Sequence, residues 1–154
     1  MNKIEAVWDK SNSKNHQDLL NIQVDGHFLN KNLEVIYQDK MYHDLVPTLL
    51  FNLEKDIVWS RILPFEHQVT ICPILMSSGE SDPSYTLIVA EIENLVHSIR
   101  WNRLGVDKAT GQDPELAGST IDWLDKVAPM AFEIDEYMTM IKIFAKYIAD
   151  NARK

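Results

Sequence analysis

Disulfides, long apolar runs, metal-binding spacings and an excess of basic charge are all missing from this 154-residue chain. Cys72 is the only cysteine, so no intrachain disulfide can form and an oxidising compartment offers the chain no advantage. No segment approaches the roughly 18 continuous apolar residues of a membrane span; the longest candidate, Tyr85 to Ile92, is short and runs into carboxylates. The N-terminal sequence MNKIEAVWDKSNSKNHQDLL lacks an apolar run followed by a small-residue cleavage site, so no signal peptide is expected and a cytoplasmic protein is the simplest reading. With 15 basic and 23 acidic residues the formal charge is −8 and the pI is near 5.0. That balance repels phosphate backbones and anionic bilayers, so neither nucleic-acid nor membrane binding is expected. It favours encounter with basic proteins.

Catalytic signatures are missing as well. His16, His27, His43, His67 and His97 show no H-x-H, H-x-x-x-H or H-E-x-x-H spacing, so no local metal site is encoded. G-x-S-x-G does not occur. Gly105 to Gly111, GVDKATG, lacks the Gly-Lys-Ser/Thr ending of a phosphate loop, and Asp107 would repel a phosphate. Cys72 lies in the apolar run VTICPILM with no neighbouring base, as expected of a buried, unreactive thiol. No metal, cofactor or enzymatic activity is therefore expected. The best alternative constellation is Glu91 and Glu93, two apart on a strand and hence on one face, with Arg61, Arg100 and Arg103 as countercharges.

What is present is a chain of one-domain size, 45% apolar and 25% charged, which should fold without staples. Residues 9–18 read as a polar loop. Asn21 to Val24, the pair Asp25-Gly26, and Leu33 to Tyr37 suggest strand, turn, strand, with Asn30-Lys31-Asn32 as the other possible turn. Leu45, Val46, Leu49, Leu50 and Leu53 recur at helical spacing, predicting a helix from Asp44 to Lys55 with Pro47 in its first turn. Ile57 to Leu63 reads as a short strand stopped by Pro64, and Gln68 to Met76 with Tyr85 to Ile92 as a hairpin at the sheet centre. Val96 to Leu104 reads as a further strand ended by Gly105, with a helix as the alternative because Leu95, Ile99 and Arg103 also fit a four-residue spacing. Tyr137, Met140, Ile141, Phe144, Tyr147 and Ile148 form the stripe of a closing amphipathic helix, Asp135 to Asn151. The sum is a single α+β domain, a mainly antiparallel twisted sheet covered by a mid-chain and a C-terminal helix.

The charge is unevenly spread. Gly105 to Glu136 holds eight carboxylates against two lysines and so carries −6 of the −8. Asp135 and Glu136 suit a helix N-terminus, and Asp113 suits a turn at Pro114. Asp107, Glu115, Asp122 and Asp125 remain, flanking Trp123. An aromatic among carboxylates is the composition of an anchor inside a polar interface rim, so these five are the candidate partner-binding residues.

IRWNRLGVD (Ile99 to Asp107), then IDWLDKVAPMAF (Ile121 to Phe132) and the helix start EYMTMI (Glu136 to Ile141) together resemble small bacterial immunity proteins of polymorphic-toxin and contact-dependent growth-inhibition systems. The resemblance implies a non-enzymatic protein that binds one cognate toxin domain, often a basic nuclease, and occludes it. It transfers no binding residue; the acidic candidates rest on charge. Two other functions compete with it. One is a small enzyme built on Glu91 or Glu93 and the arginines. The other is an adaptor or secretion chaperone using Met130, Met138 and Met140 as an adaptable apolar surface.

Overall fold

Among the described residues the apolar patterning of the chain is realised as nine strands and two α-helices. In the computed structural model, which describes residues 1–10, 18–51, 56–77, 86–108 and 118–152, the order is β1 (Ile4–Asp9), β2 (Leu19–Val24), β3 (His27–Phe28), α1 (Leu29–Tyr37), β4 (Leu45–Pro47), β5 (Val69–Ser77), β6 (Leu87–Asn94), β7 (Ser98–Asp107), β8 (Ile121–Trp123), β9 (Met130–Glu133) and α2 (Ile134–Ala152). β1, β2 and β3 form a small antiparallel sheet. A larger sheet runs β4-β5-β6-β7-β8, with β9 also pairing β7. Every strand pair is antiparallel. The fold is thus α+β with a mid-chain and a C-terminal helix, as the sequence implied. No helix among the described residues is long and apolar enough to cross a membrane.

Local signals were obeyed where the interaction partners are close in sequence. Asp25 and Gly26 take φ of 53° and 83°, the left-handed pair that a two-residue hairpin turn requires. The Asp25 carboxylate accepts from the Lys3 backbone N–H and from Asn2 Nδ2, at 2.8 and 2.7 Å, and these bonds hold it below its ordinary pKa. β5 and β6 form the expected hairpin at the sheet centre. Leu87 to Ala90 are all buried, on both faces. Tyr137, Met140 and Phe144 are buried on the stripe of α2, with Asp135 and Glu136 in its first turn.

Three expectations fail. Asp44 to Lys55 is not a helix in its described part: Leu45 to Pro47 is an edge strand on Leu75–Ser77, followed by a 3-10 turn at Thr48–Leu50. Pro47 is extended (φ −61°, ψ 134°), and the Thr48 hydroxyl donates to Pro73 O at 2.7 Å. Pairing with β5 satisfies the backbone while burying Leu45, Val46 and Leu49, so the apolar residues find cover without a helix. Residues 52–55 lie outside the described set. The mid-chain helix is instead α1, in place of the strand expected at Leu33 to Tyr37. Leu29 and Leu33, four apart, are buried on its inner face, and Tyr37 packs against the same core. Finally, Ile57 to Leu63 is a set of tight turns rather than a strand: Ser60 N–H and Ile62 N–H donate to Asp56 O and Val58 O, at 3.0 and 2.8 Å. Its side chains Ile57, Val58 and Ile62 still plug the core. The loop expected at residues 9–18 falls largely outside the described set, but Asp9 closes β1. Its buried carboxylate lies 3.8 Å from Lys31 Nζ, while Asn21 Nδ2 reaches both Asp9 and Asn30.

One cluster of buried residues runs through both sheets and both helices. Its centre is aromatic. Trp101 and Phe132 meet edge-on with centroids 5.1 Å apart, and Phe132 stacks on Tyr137 at 6.0 Å. The Tyr137 hydroxyl donates to Ile62 O at 2.6 Å and accepts from Trp101 Nε1 at 3.4 Å. Burial pushes this phenol up in pKa, so it stays a neutral donor. Tyr137→Phe leaves the Ile62 carbonyl and the Trp101 N–H unsatisfied in the core, and should lower stability by about 1–3 kcal/mol in urea unfolding followed by circular dichroism.

Candidate functional site

One face of the larger sheet gathers Glu91 and Glu93 of β6, Arg100, Asn102 and Arg103 of β7, and Trp123 of β8. Cross-strand pairing sets Glu93 opposite Arg100, Glu91 opposite Arg103, and Gly105 between Val89 and Trp123. A β-bulge between Glu91 and Ile92 leaves Asn102 as an extra residue of β7. A bulge turns an additional side chain toward the same face. Asn102 Nδ2 accordingly donates to both Glu91 Oε2 (3.2 Å) and Glu93 Oε1 (3.3 Å). Arg103 donates through Nε and Nη2 to Glu91 Oε1, at 3.3 and 3.1 Å.

Gly105 opens the space that Trp123 occupies. A Cβ at this position would collide with the Ile121 side chain and would stand 3.0 Å from Trp123 Cε3. Glycine inside a strand commonly marks such a close approach. The indole therefore lies over β7, and the Arg103 guanidinium sits 3.7 Å from its ring centroid. Arg103 is thus held between a carboxylate and an aromatic face. Gly105 does not end the strand, as its sequence position suggested; it lies inside β7.

The five candidate residues separate. Asp122 is exposed on β8 and pairs loosely with Lys108 at 3.7 Å. Trp123 is half-buried beside it, and Asp125 is exposed just beyond the strand. Asp107 is half-buried at the end of β7 opposite Ile121, with one carboxylate oxygen shielded from solvent. Glu115 lies outside the described residues. Gly118 packs against Ile71 of β5, so the segment leading into β8 lies against this same face.

The alternative constellation converges only in part. Glu91, Glu93, Asn102 and Arg103 form one hydrogen-bonded group, and Arg100 is exposed opposite Glu93. Arg61 is occupied elsewhere: Nη1 donates to Ile71 O at 3.3 Å, and its carbonyl accepts from Thr70. Both carboxylates are bound by neighbours on an open sheet face. Among the described residues no group of three His, Cys, Asp or Glu side chains is placed to hold a metal ion. Of the three methionines, Met140 is buried, while Met130 and Met138 are half-buried, Met130 against the core.

No family model, curated protein or solved structure matches this chain. The functional reading therefore rests on the geometry.

Sequence reasoning had named Arg103 only as a countercharge for Glu91 or Glu93 and had given Asn102 no role. The signal that could have found both was Gly105, a strand glycine two residues after an arginine. Cys72 is fully buried; its thiol contacts Pro73 O at 3.3 Å and Val58 O at 3.6 Å, and desolvation raises its pKa. Two outcomes follow from these contacts. Iodoacetamide should leave Cys72 unmodified in the native protein and alkylate it fully in denaturant, as read by intact mass. A double-mutant cycle of Glu91→Gln and Arg103→Ala should show a coupling of about 0.5–1 kcal/mol, small because Arg103 is half exposed to screening solvent.

Proposed function

We propose that this protein is a binding protein of the immunity type, which neutralises a basic protein toxin by covering its functional groove. The observation that carries the reading is the indole of Trp123, packed on Arg103 above Gly105, with Asp122 exposed on the other face of the same short strand and Asp125 exposed just beyond its end. An aromatic already fixed in place loses little freedom on binding, and a flanking acidic rim excludes water and steers a cationic surface toward it.

The exposed carboxylates would compete with phosphate for the lysines and arginines of a toxin, a nuclease above all. The Lys108–Asp122 pair, long and largely exposed, contributes little by itself and exchanges readily for a better cation. Action in the cytoplasm fits a lone buried thiol that needs no oxidising compartment.

The test is binding of the purified protein to basic toxin domains encoded by neighbouring genes, measured across a salt series. Affinity should fall as salt rises, and Asp122→Lys with Asp125→Lys should lower it about tenfold or more, mainly through association. Trp123→Ala should act through dissociation, costing about 2 kcal/mol. Binding that salt and the double reversal leave unchanged would remove this surface from the reading.

A further inference from the structure

A second surface lies on the opposite side of the chain order, where β1 runs beside α2. β1 is the edge of the small sheet, and its backbone bonds alternate. Lys3 O accepts from the Asp25 N–H at 2.8 Å, so the odd-numbered residues of β1 carry the ladder to β2. The even-numbered residues point their N–H and C=O groups the other way. Asn2 shows what that edge can do. Its N–H donates to Ala131 O at 2.8 Å and its side chain accepts from the Ala131 N–H, an isolated parallel bridge from the first sheet to β9. After Glu133 the chain winds into α2, and this pairing stops. Among the described residues no strand pairs with Ile4 and Ala6 on that side.

The gap that follows is a groove of about 330 Å³. Lys3 and the first three residues of β1, Ile4 to Ala6, line it from both faces of the strand, which is the pattern of a strand edge rather than a sheet face. Across from them stand Asp135, Glu136, Thr139, Met140 and Ile143 of α2. The floor is apolar: Ile4 and Met140 are buried, while Ile143 is 40% exposed. The rim is acidic, with Glu5, Asp135 and Glu136 against Lys3, which already lies 3.7 Å from Glu5.

We infer that this groove is a strand-addition site for an extended segment of another protein in which apolar residues alternate with lysine or arginine. The outward backbone groups of Ile4 and Ala6 supply the main-chain bonds, and the floor takes one parity of side chains. The rim takes the other. A second copy of the chain is the wrong occupant, because pairing β1 with itself would bring Glu5 and the α2 carboxylates of both copies together. The site is independent of the Trp123 face.

The probe is a blocked hexapeptide of alternating lysine and valine, added to the full-length ¹⁵N-labelled protein, with a glutamate–valine hexapeptide as control. Saturable shifts and slowed hydrogen exchange at the Ile4 and Ala6 amides are expected with the lysine peptide alone. Ala6→Pro removes one outward donor while sparing the bonds to β2, a change that edge strands tolerate, and should weaken binding about tenfold. Glu5→Lys should also weaken it. If Ala6→Pro does not fold, Ile143→Lys, which blocks the exposed end of the floor, should give the same loss. Asp122→Lys with Asp125→Lys should leave peptide binding unchanged, which separates this site from the Trp123 face. The inference is overturned by shifts that map elsewhere, by equal binding of the glutamate peptide, by wild-type binding in a folded Ala6→Pro, or by protection of Ile4 and Ala6 that rises with protein concentration in the absence of peptide.

Discussion

The contact of Trp101, Phe132 and Tyr137 is the constraint on which the rest of the molecule depends. These three fully buried rings come from β7, β9 and α2. Their packing sets where β9 leaves the larger sheet and in which direction the closing helix departs. Close-packed rings have few alternative arrangements, so a small change in one moves the elements attached to the others. The Tyr137 hydroxyl extends this constraint to Ile62 and so anchors a segment that has no ladder of its own. Because the chain turns from β9 directly into α2, the same junction places α2 beside the edge of β1 and keeps β1 from pairing further along β9.

On the sheet face that carries Trp123, order comes from a side chain that is absent. Gly105 lets Trp123 lie against β7, and Trp123 then meets Arg103, which is held from the other side by Glu91. The bulge at Asn102 adds a donor that joins Glu91 to Glu93. Both carboxylates are hydrogen-bonded within one group, and through Arg103 that group supports an aromatic residue.

The acidic stretch of the sequence is not one surface. Asp107 is half-buried at the end of β7, Asp122 and Asp125 stand at the β8 margin, and Asp135 and Glu136 start α2 on the rim of a different groove. Neighbouring charges in sequence were carried apart by the intervening strands. Charge totals therefore say nothing of where in the fold the carboxylates stand.

The sequence by itself determined those features whose physics is local. The α2 stripe recurs every 3.6 residues within one segment, Asp25-Gly26 supplies positive φ at a tight turn, and the central hairpin joins two apolar runs through turn-forming residues. Cys72 in an apolar run was legible for the same reason. Tertiary structure decided what short apolar runs became. Leu45 to Pro47 extended because β5 offered an edge, and Leu33 to Tyr37 coiled because that puts Leu29 and Leu33 on one buried face. The bulge at Asn102, the seat of Trp123 and the groove beside Ile4 and Ala6 likewise arose only from pairing. A strand edge, a register shift and a close approach are relations between segments distant along the chain, and the energy that selects them is burial and hydrogen bonding shared by both partners.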